Sequence, residues 1–277
     1  VVAGYSTTLA GRTPNQRYNA IRALEKLQGK VIKPGETFSF NRAVRSWSRD
    51  QGFRRAPVSF SGTLVPAYGG GVCQTSTTLY NAALLAGLPI VERHPHRFAP
   101  SYVPPGRDSA VAFESVDLKI TNSHPFPLTI RGQVRQDQLL IQLMGPKKPS
   151  SIPLVREEVR RTSLPRTVEW ARTQGAGMRR VRSSGRAGFD VLVWRIWGDR
   201  RELISQNSYP AMDRVIEVAG EPYCHRSWPG DGSLARQREE SPDFIRARCP
   251  GQPGARRLDG KCHRNKPPRL AGVRVKS

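Results

Sequence analysis

Long apolar runs are missing from this chain. No stretch of the 277 residues approaches the ~20 consecutive apolar positions that a membrane-spanning helix requires. Cysteine is scarce: there are four, and Cys224, Cys249 and Cys262 all fall after residue 220, leaving Cys73 alone in the main part. No CxxC pair occurs, so neither a disulfide scaffold nor a zinc ribbon is encoded. Acidic side chains are few, 22 against 45 lysines and arginines, for a formal charge of +23. The excess is spread as +9 over residues 1–145, +7 over 146–220 and +7 over 221–277. A spread charge suits anionic surroundings such as an acidic wall polymer, but it locates no site. Helix-turn-helix, zinc-finger and RNP patterns are absent, and no nucleic-acid partner is read from the charge. There is no internal repeat. No Ser-x-x-Lys occurs either, which excludes a penicillin-binding-type serine enzyme. The chain starts at Val1, so any signal or membrane anchor is expected to lie outside it.

The stretch with the clearest meaning is Gly69-Gly70-Gly71-Val72-Cys73-Gln74-Thr75-Ser76-Thr77-Thr78-Leu79-Tyr80-Asn81, continued by Ala82 to Leu88. Three glycines disfavour a helix and permit unusual backbone angles. The alanine- and leucine-rich part that follows predicts a helix, closed by Gly87 and Pro89. Cys73 then falls in the first turn, where unpaired N–H groups and the helix dipole favour a thiolate. Such a thiolate suits covalent acyl transfer. The competing reading is a cysteine that simply fills space in the core.

Around this element the chain reads as short strands and turns. Tyr18, Ile21, Leu24 and Leu27 predict an amphipathic helix ending at Gly29, after a polar turn at residues 11–15. Phe38 and Phe40 alternate as in a half-buried strand, and residues 42–55 read as a surface loop. Residues 56–65 predict a hairpin around Ser61-Gly62. A brief strand at Ile90-Val91 leads into Glu92-Arg93-His94-Pro95-His96-Arg97. Residues 110–120 predict a strand. So do 128–134 and 138–144, which pair about a Gln136-Asp137 tip. Residues 146–151 read as a linker, 152–220 as a small all-β domain, and 221–277 as a mostly disordered tail. The fold class is α+β: a helix-containing domain over 1–145 with mostly antiparallel strands, then the β domain and the tail.

Cys73, His94, His96 and Asp108 fall within 36 positions of one another. A thiol, an imidazole and a carboxylate can serve as nucleophile, base and orienting group. Either His94 or His96 would take the thiol proton, with Asp108 fixing the tautomer. The plainer alternative has His96 capping a turn and Asp108 paired with Arg107. A zinc site made of Cys73, His94 and His96 is weakly signalled, because His-x-His alone is unspecific and HExxH is absent. No metal or cofactor is expected.

Four runs resemble the VanW-like family over residues 3–145: VIKPGETFSFN (31–41), GGGVCQTSTTLYNAALLAGL (69–88), IVERHPH (90–96) and YVPPGRD (102–108). Arg17, Asn19 and Ile21 in the early helix are similar too. Residues 152–220 loosely resemble the small β modules that follow such domains, including the five-glycine surface domain. The family is associated with bacterial cell envelopes and glycopeptide-resistance genes, which implies an extracytoplasmic protein, membrane-anchored or secreted, partnered by peptidoglycan or another anionic wall polymer. Some members look like L,D-transpeptidases with their cysteine in the GGG-x-CQ-x-STT run, here Cys73. The common L,D-transpeptidase motif places Ser/Thr-His-Gly before its cysteine. Gly70-Gly71-Val72 stands there instead, so the base must come from elsewhere. The resemblance implies attack of Cys73 on a stem-peptide carbonyl, with main-chain N–H groups of the Gly71–Gln74 turn holding the oxyanion. It also implies substrate contacts from Gly70, Gln74 and Tyr102, and a carboxylate grip by Arg93 or Arg107. The alternative is a non-catalytic wall-binding module in which Cys73 only packs.

Overall fold

A computed structural model describes residues 1–60, 63–147, 153–172 and 179–219. Residues Val1–Trp170 and Arg180–Glu217 form one compact unit. The expected tail at 221–277, the hairpin tip Ser61-Gly62 and most of the expected linker lie outside the described residues.

The chain opens with β1 (Ala3–Thr8), then α1 (Pro14–Leu27), β2 (Val31–Ile32), β3 (Thr37–Ser39) and α2 (Phe40–Val44). A hairpin of β4 (Arg55–Phe60) and β5 (Thr63–Tyr68) leads into α3 (Val72–Leu85). Short strands β6 (Ile90–Glu92) and β7 (Lys119–Thr121) bracket a long loop, followed by β8 (Leu128–Arg135) and β9 (Gln138–Met144). The later part holds β10 (Leu154–Ser163), β11 (Thr167–Arg172), β12 (Arg179–Arg186), β13 (Gly188–Trp197), β14 (Arg200–Tyr209) and β15 (Met212–Ala219). The sheets are ordered β1-β9-β8-β2, β3-β7-β6, β4-β5, β10-β13-β14 and β11-β15-β12. Every strand pairing whose register is described is antiparallel. Among the described residues, mostly antiparallel sheet with three helices agrees with a mixed α and β class.

The first sheet and α1 bury Leu128, Ile130, Leu139, Ile141 and Leu143 against Ala20, Ala23, Leu24 and Leu27. α3 lies among them, with every residue from Gln74 to Leu84 buried. A helix buried all round is ordinarily apolar. This one carries Thr75, Ser76, Thr77, Thr78 and Asn81 inside, and each is hydrogen-bonded. Thr75 donates to the Ala20 carbonyl, Ser76 bonds Ser109, Thr78 bonds Thr7, and Thr77 accepts from the Ser109 N–H. Asn81 donates to the carbonyls of Thr77 and Arg107. Unsatisfied, each buried group would cost about 1–3 kcal/mol.

Several expectations are corrected. β1 has no counterpart among the expected elements: its inward Thr7 breaks the apolar alternation, but bonds Thr78 inside the core. Phe40 begins a helix rather than ending a strand, because the Ser39 side chain caps it by accepting from the Arg42 N–H. Residues 110–120 are largely loop, held by the isolated bridges His94↔Ala110 and Ala112↔Val116. The Asp117 carboxylate pins that loop by accepting from Ser39, the Asn41 N–H and its neighbour's Leu118 N–H. The α1 stripe is rotated towards Ala20 and Ala23, whose small side chains let α3 approach; Tyr18 and Ile21 are only half-buried. β12 was not read from the sequence.

Candidate active site

Cys73 owes its position to the three glycines. Gly71 caps α3 in the left-handed region, with φ 111°. A Cβ there would stand 2.2 Å from the Gln16 carbonyl oxygen. At Gly69 it would meet the Trp47 ring at 2.3 Å, and at Gly70 the Pro57 carbonyl at 2.7 Å. The glycines therefore let a tight turn nest against α1 and β4. Asn19, fully buried, locks that nest: it donates to the carbonyls of Arg54 and Gly70 and accepts from the Arg54 N–H. The Val72 N–H bonds Gly69 and the Gln74 N–H bonds Gly71. Cys73, between them, is half-buried, with its sulfur 3.5 Å from the Val111 carbonyl.

His96 and Asp108 both come from the long loop between β6 and β7. Asp108 is completely buried. Its Oδ2 accepts from the His96 N–H at 2.6 Å and lies 2.7 Å from His96 Nδ1. Its Oδ1 accepts from Arg93 Nη2 at 3.1 Å and from the Tyr209 hydroxyl at 2.5 Å. With Nδ1 committed to the carboxylate, Nε2 is the nitrogen left to interact with the Cys73 thiol, and each group shifts the titration of the other. Burial alone would push the thiol up, but His96's hydrogen bond and positive charge outweigh it and hold Cys73 below its ordinary value. Burial would push the imidazole down, yet the hydrogen bonds to Asp108 and Cys73 and their charges raise it from 6.5 to about 10. Burial works upward on Asp108 as well, and the His96 contacts with the Arg93 charge bring it below its ordinary value. Cysteine and histidine thus favour a thiolate–imidazolium pair oriented by a carboxylate.

Of the residues expected at the site, Cys73, His96 and Asp108 come together. His94 does not join them; its exposed ring bonds Glu92 at 3.1 Å. Arg93 and Arg107 are spent internally. Arg93 is 6% exposed and donates to Asp108, the Gly106 carbonyl and Asn207. Arg107 donates to Asn81 and Glu157. Gln74 is buried, its amide bonding Thr7, the Thr8 carbonyl and Arg12. Gly70 is buried under Asn19. Tyr102 is half-buried; burial and then the Cys73 charge push its hydroxyl up, with Thr77 and Arg12 acting in the opposite direction. Among the described residues, no group of three or more His, Cys, Asp or Glu is arranged to hold a metal ion.

Four participants escaped the sequence reading. Tyr209 and Asn207 come from β14, more than 100 positions from Asp108 and Arg93, and nothing in their local pattern marks them. The Val111 carbonyl carries no side-chain signal. Arg12 sits beside the capping box of Thr13 and Gln16, which disguises it as part of a helix start.

A largely buried, hydroxyl-lined helix thus opens behind a triple-glycine turn, with a half-buried cysteine in its first turn. Residues 15–144 match the family described as VanW like protein. The chain is 35% identical over 160 residues to the uncharacterized protein YoaR of Bacillus subtilis (strain 168), covering 54% of this chain and 53% of YoaR. It is 30% identical over 143 residues to the vancomycin B-type resistance protein VanW of Enterococcus faecalis (strain ATCC 700802 / V583), covering 50% of this chain and 52% of that protein. The chain thus spans about half the length of these curated relatives. No solved structure gives a significant match. No helix among the described residues is long and apolar enough to cross a membrane.

Proposed function

We propose that this is a cell-envelope protein that transfers acyl groups through Cys73, acting as an L,D-transpeptidase on peptidoglycan stem peptides. The observation that carries the reading is the Cys73–His96–Asp108 relay, in which the thiol is held low and the imidazole high by their own contacts. The relative named for vancomycin resistance supports placing the protein at the wall, where the chain's positive charge suits an anionic polymer.

In this mechanism the Cys73 thiolate attacks the carbonyl carbon ahead of the terminal D-residue. A C–S bond forms and the carbonyl π electrons move to oxygen. The Cys73 N–H, which has no hydrogen bond among the described residues, can donate to that oxyanion at the positive end of α3. Collapse re-forms the carbonyl and breaks the C–N bond, and the His96 imidazolium protonates the leaving amine. An acceptor amine then attacks the thioester. Neutral His96 takes its proton, the C–S bond breaks, and the thiolate–imidazolium pair is restored.

The test is cross-linking of tetrapeptide donors by the purified protein and by Cys73→Ala. Loss of product, and loss of a donor adduct on Cys73 by mass spectrometry, is expected in the variant. Unchanged cross-linking without Cys73 would end this reading.

A further inference from the structure

Three arginines lie close to the relay, and they are not equivalent. Arg93 and Arg107 each face a carboxylate, Asp108 and Glu157 respectively. Arg12 is partnered differently. Its Nε donates to Gln74 Oε1 at 3.0 Å, and its guanidinium carbon lies 4.5 Å from the centre of the Tyr102 ring. It is half-buried and forms no ion pair among the described residues. Both partners are tied to the nucleophile: Gln74 follows Cys73 in the chain, and the Cys73 charge acts, after burial, to push the Tyr102 hydroxyl up.

The construction orients a guanidinium without neutralising it. An amide oxygen holds one edge through Nε, and an aromatic face supports the plane. Among the described residues neither terminal nitrogen has a hydrogen-bond partner, and the two can offer a fork to a planar anion. Gln74 is itself fixed, its amide nitrogen donating to Thr7 and to the Thr8 carbonyl, so the support does not swing.

We propose that Arg12 is the anion-recognising residue of the Cys73 site, selecting acyl donors that carry a free carboxylate close to the carbonyl under attack. This assignment rests on the transpeptidase reading for its substrate, the α-carboxylate of the departing residue. The unneutralised guanidinium itself does not depend on that reading.

The two are separated by small alkylating probes. Iodoacetate and iodoacetamide react with a thiolate alike but differ in charge. Rates at Cys73 are followed in the full chain by peptide-level mass spectrometry, which distinguishes Cys224, Cys249 and Cys262. In Arg12→Gln the iodoacetate rate is expected to fall roughly three- to tenfold relative to iodoacetamide. Arg12→Lys should recover part of the preference, and added salt should weaken it in the wild type. A rate ratio unmoved by Arg12→Gln overturns the assignment, as does a Cys73 that neither reagent reaches. A second arm compares tetrapeptide donors ending in a free acid or an amide. Wild-type cross-linking that prefers the acid, with the preference lost in Arg12→Gln, supports it. Wild-type cross-linking whose preference is unchanged in Arg12→Gln overturns Arg12 and leaves Cys73 chemistry standing. If the wild type cross-links neither donor, the transpeptidase reading fails and the alkylation ratio alone decides whether Arg12 binds anions.

Discussion

Replacing His96 by asparagine should move the titration of Cys73 upward and cut its reactivity at neutral pH. In the intact site, burial pushes the thiol up and the His96 hydrogen bond and charge more than cancel it. Without the imidazole, burial and the Asp108 charge act without their main opponent, so Cys73 should titrate above its ordinary 9.0. A thiol titrating near 9 is only about 1% ionised at pH 7, and each unit of lowering multiplies that fraction by about ten. Intrinsic nucleophilicity falls as the thiol becomes more acidic, by about threefold per unit, so the net gain in rate is roughly threefold per unit. The midpoint of the pH profile is therefore the cleaner readout. Iodoacetamide labelling of Cys73, followed peptide by peptide from pH 5 to 11, should give a midpoint below 9 in the wild type and above 9 in His96→Asn. At the alkaline end, where both thiols are fully ionised, the less acidic thiolate of His96→Asn should be the faster, by about threefold per unit of difference. Superimposable profiles would show that His96 does not govern the sulfur, and the relay would lose its base.

Other outcomes follow from the same geometry. Acyl transfer by the wild type should rise with pH as the lowered Cys73 ionises and fall as His96 loses the proton it donates, near pH 10, which a donor-turnover profile checks. His94→Ala should leave turnover within about twofold and stability within about 0.5 kcal/mol, since the exposed ring touches only Glu92 among the described carboxylates. Gly71→Ala should cost about 3 kcal/mol or more, because it adds a strained φ to a main-chain clash. A melting curve should show this as a drop of several degrees. Asp108 is held below its ordinary 3.8, so its contribution is present above that pH and is lost as pH falls through the folded value. Denaturant titrations should show an acid-side loss that Asp108→Asn abolishes, at the expense of lower stability near neutrality, where Arg93 is left buried beside an uncharged amide.

The sequence carried the site where local chemistry is decisive. Three glycines before an alanine- and leucine-rich run could hardly be anything but a turn opening a helix, and the hairpin at Gln136 was equally plain: that residue has φ 52° at its tip. The choice between His94 and His96 was not legible, because it depends on which ring turns towards Asp108, a distance of 12 positions along the chain. The roles of Arg93 and Arg107 were hidden for the same reason. A guanidinium written beside a catalytic run looks free until its partners, Asn207 from β14 and Glu157 from β10, are folded onto it. The buried hydroxyls of α3 show the converse. Their Ser-Thr-Thr run reads as chemistry, yet its side chains secure the helix to Ala20, Ser109 and Thr7.

The hydroxyl of Tyr209 reaches Asp108 from far beyond the stretch that matches the family, and Asn207 does the same for Arg93. A fragment trimmed to that stretch would keep the sulfur, the imidazole and the carboxylate while stripping away two of the groups that hold the carboxylate and its guanidinium in place. Expressed alone, such a fragment would carry every named member of the relay and still misalign it, so inactivity of a short version would say little about the chemistry of the longer chain.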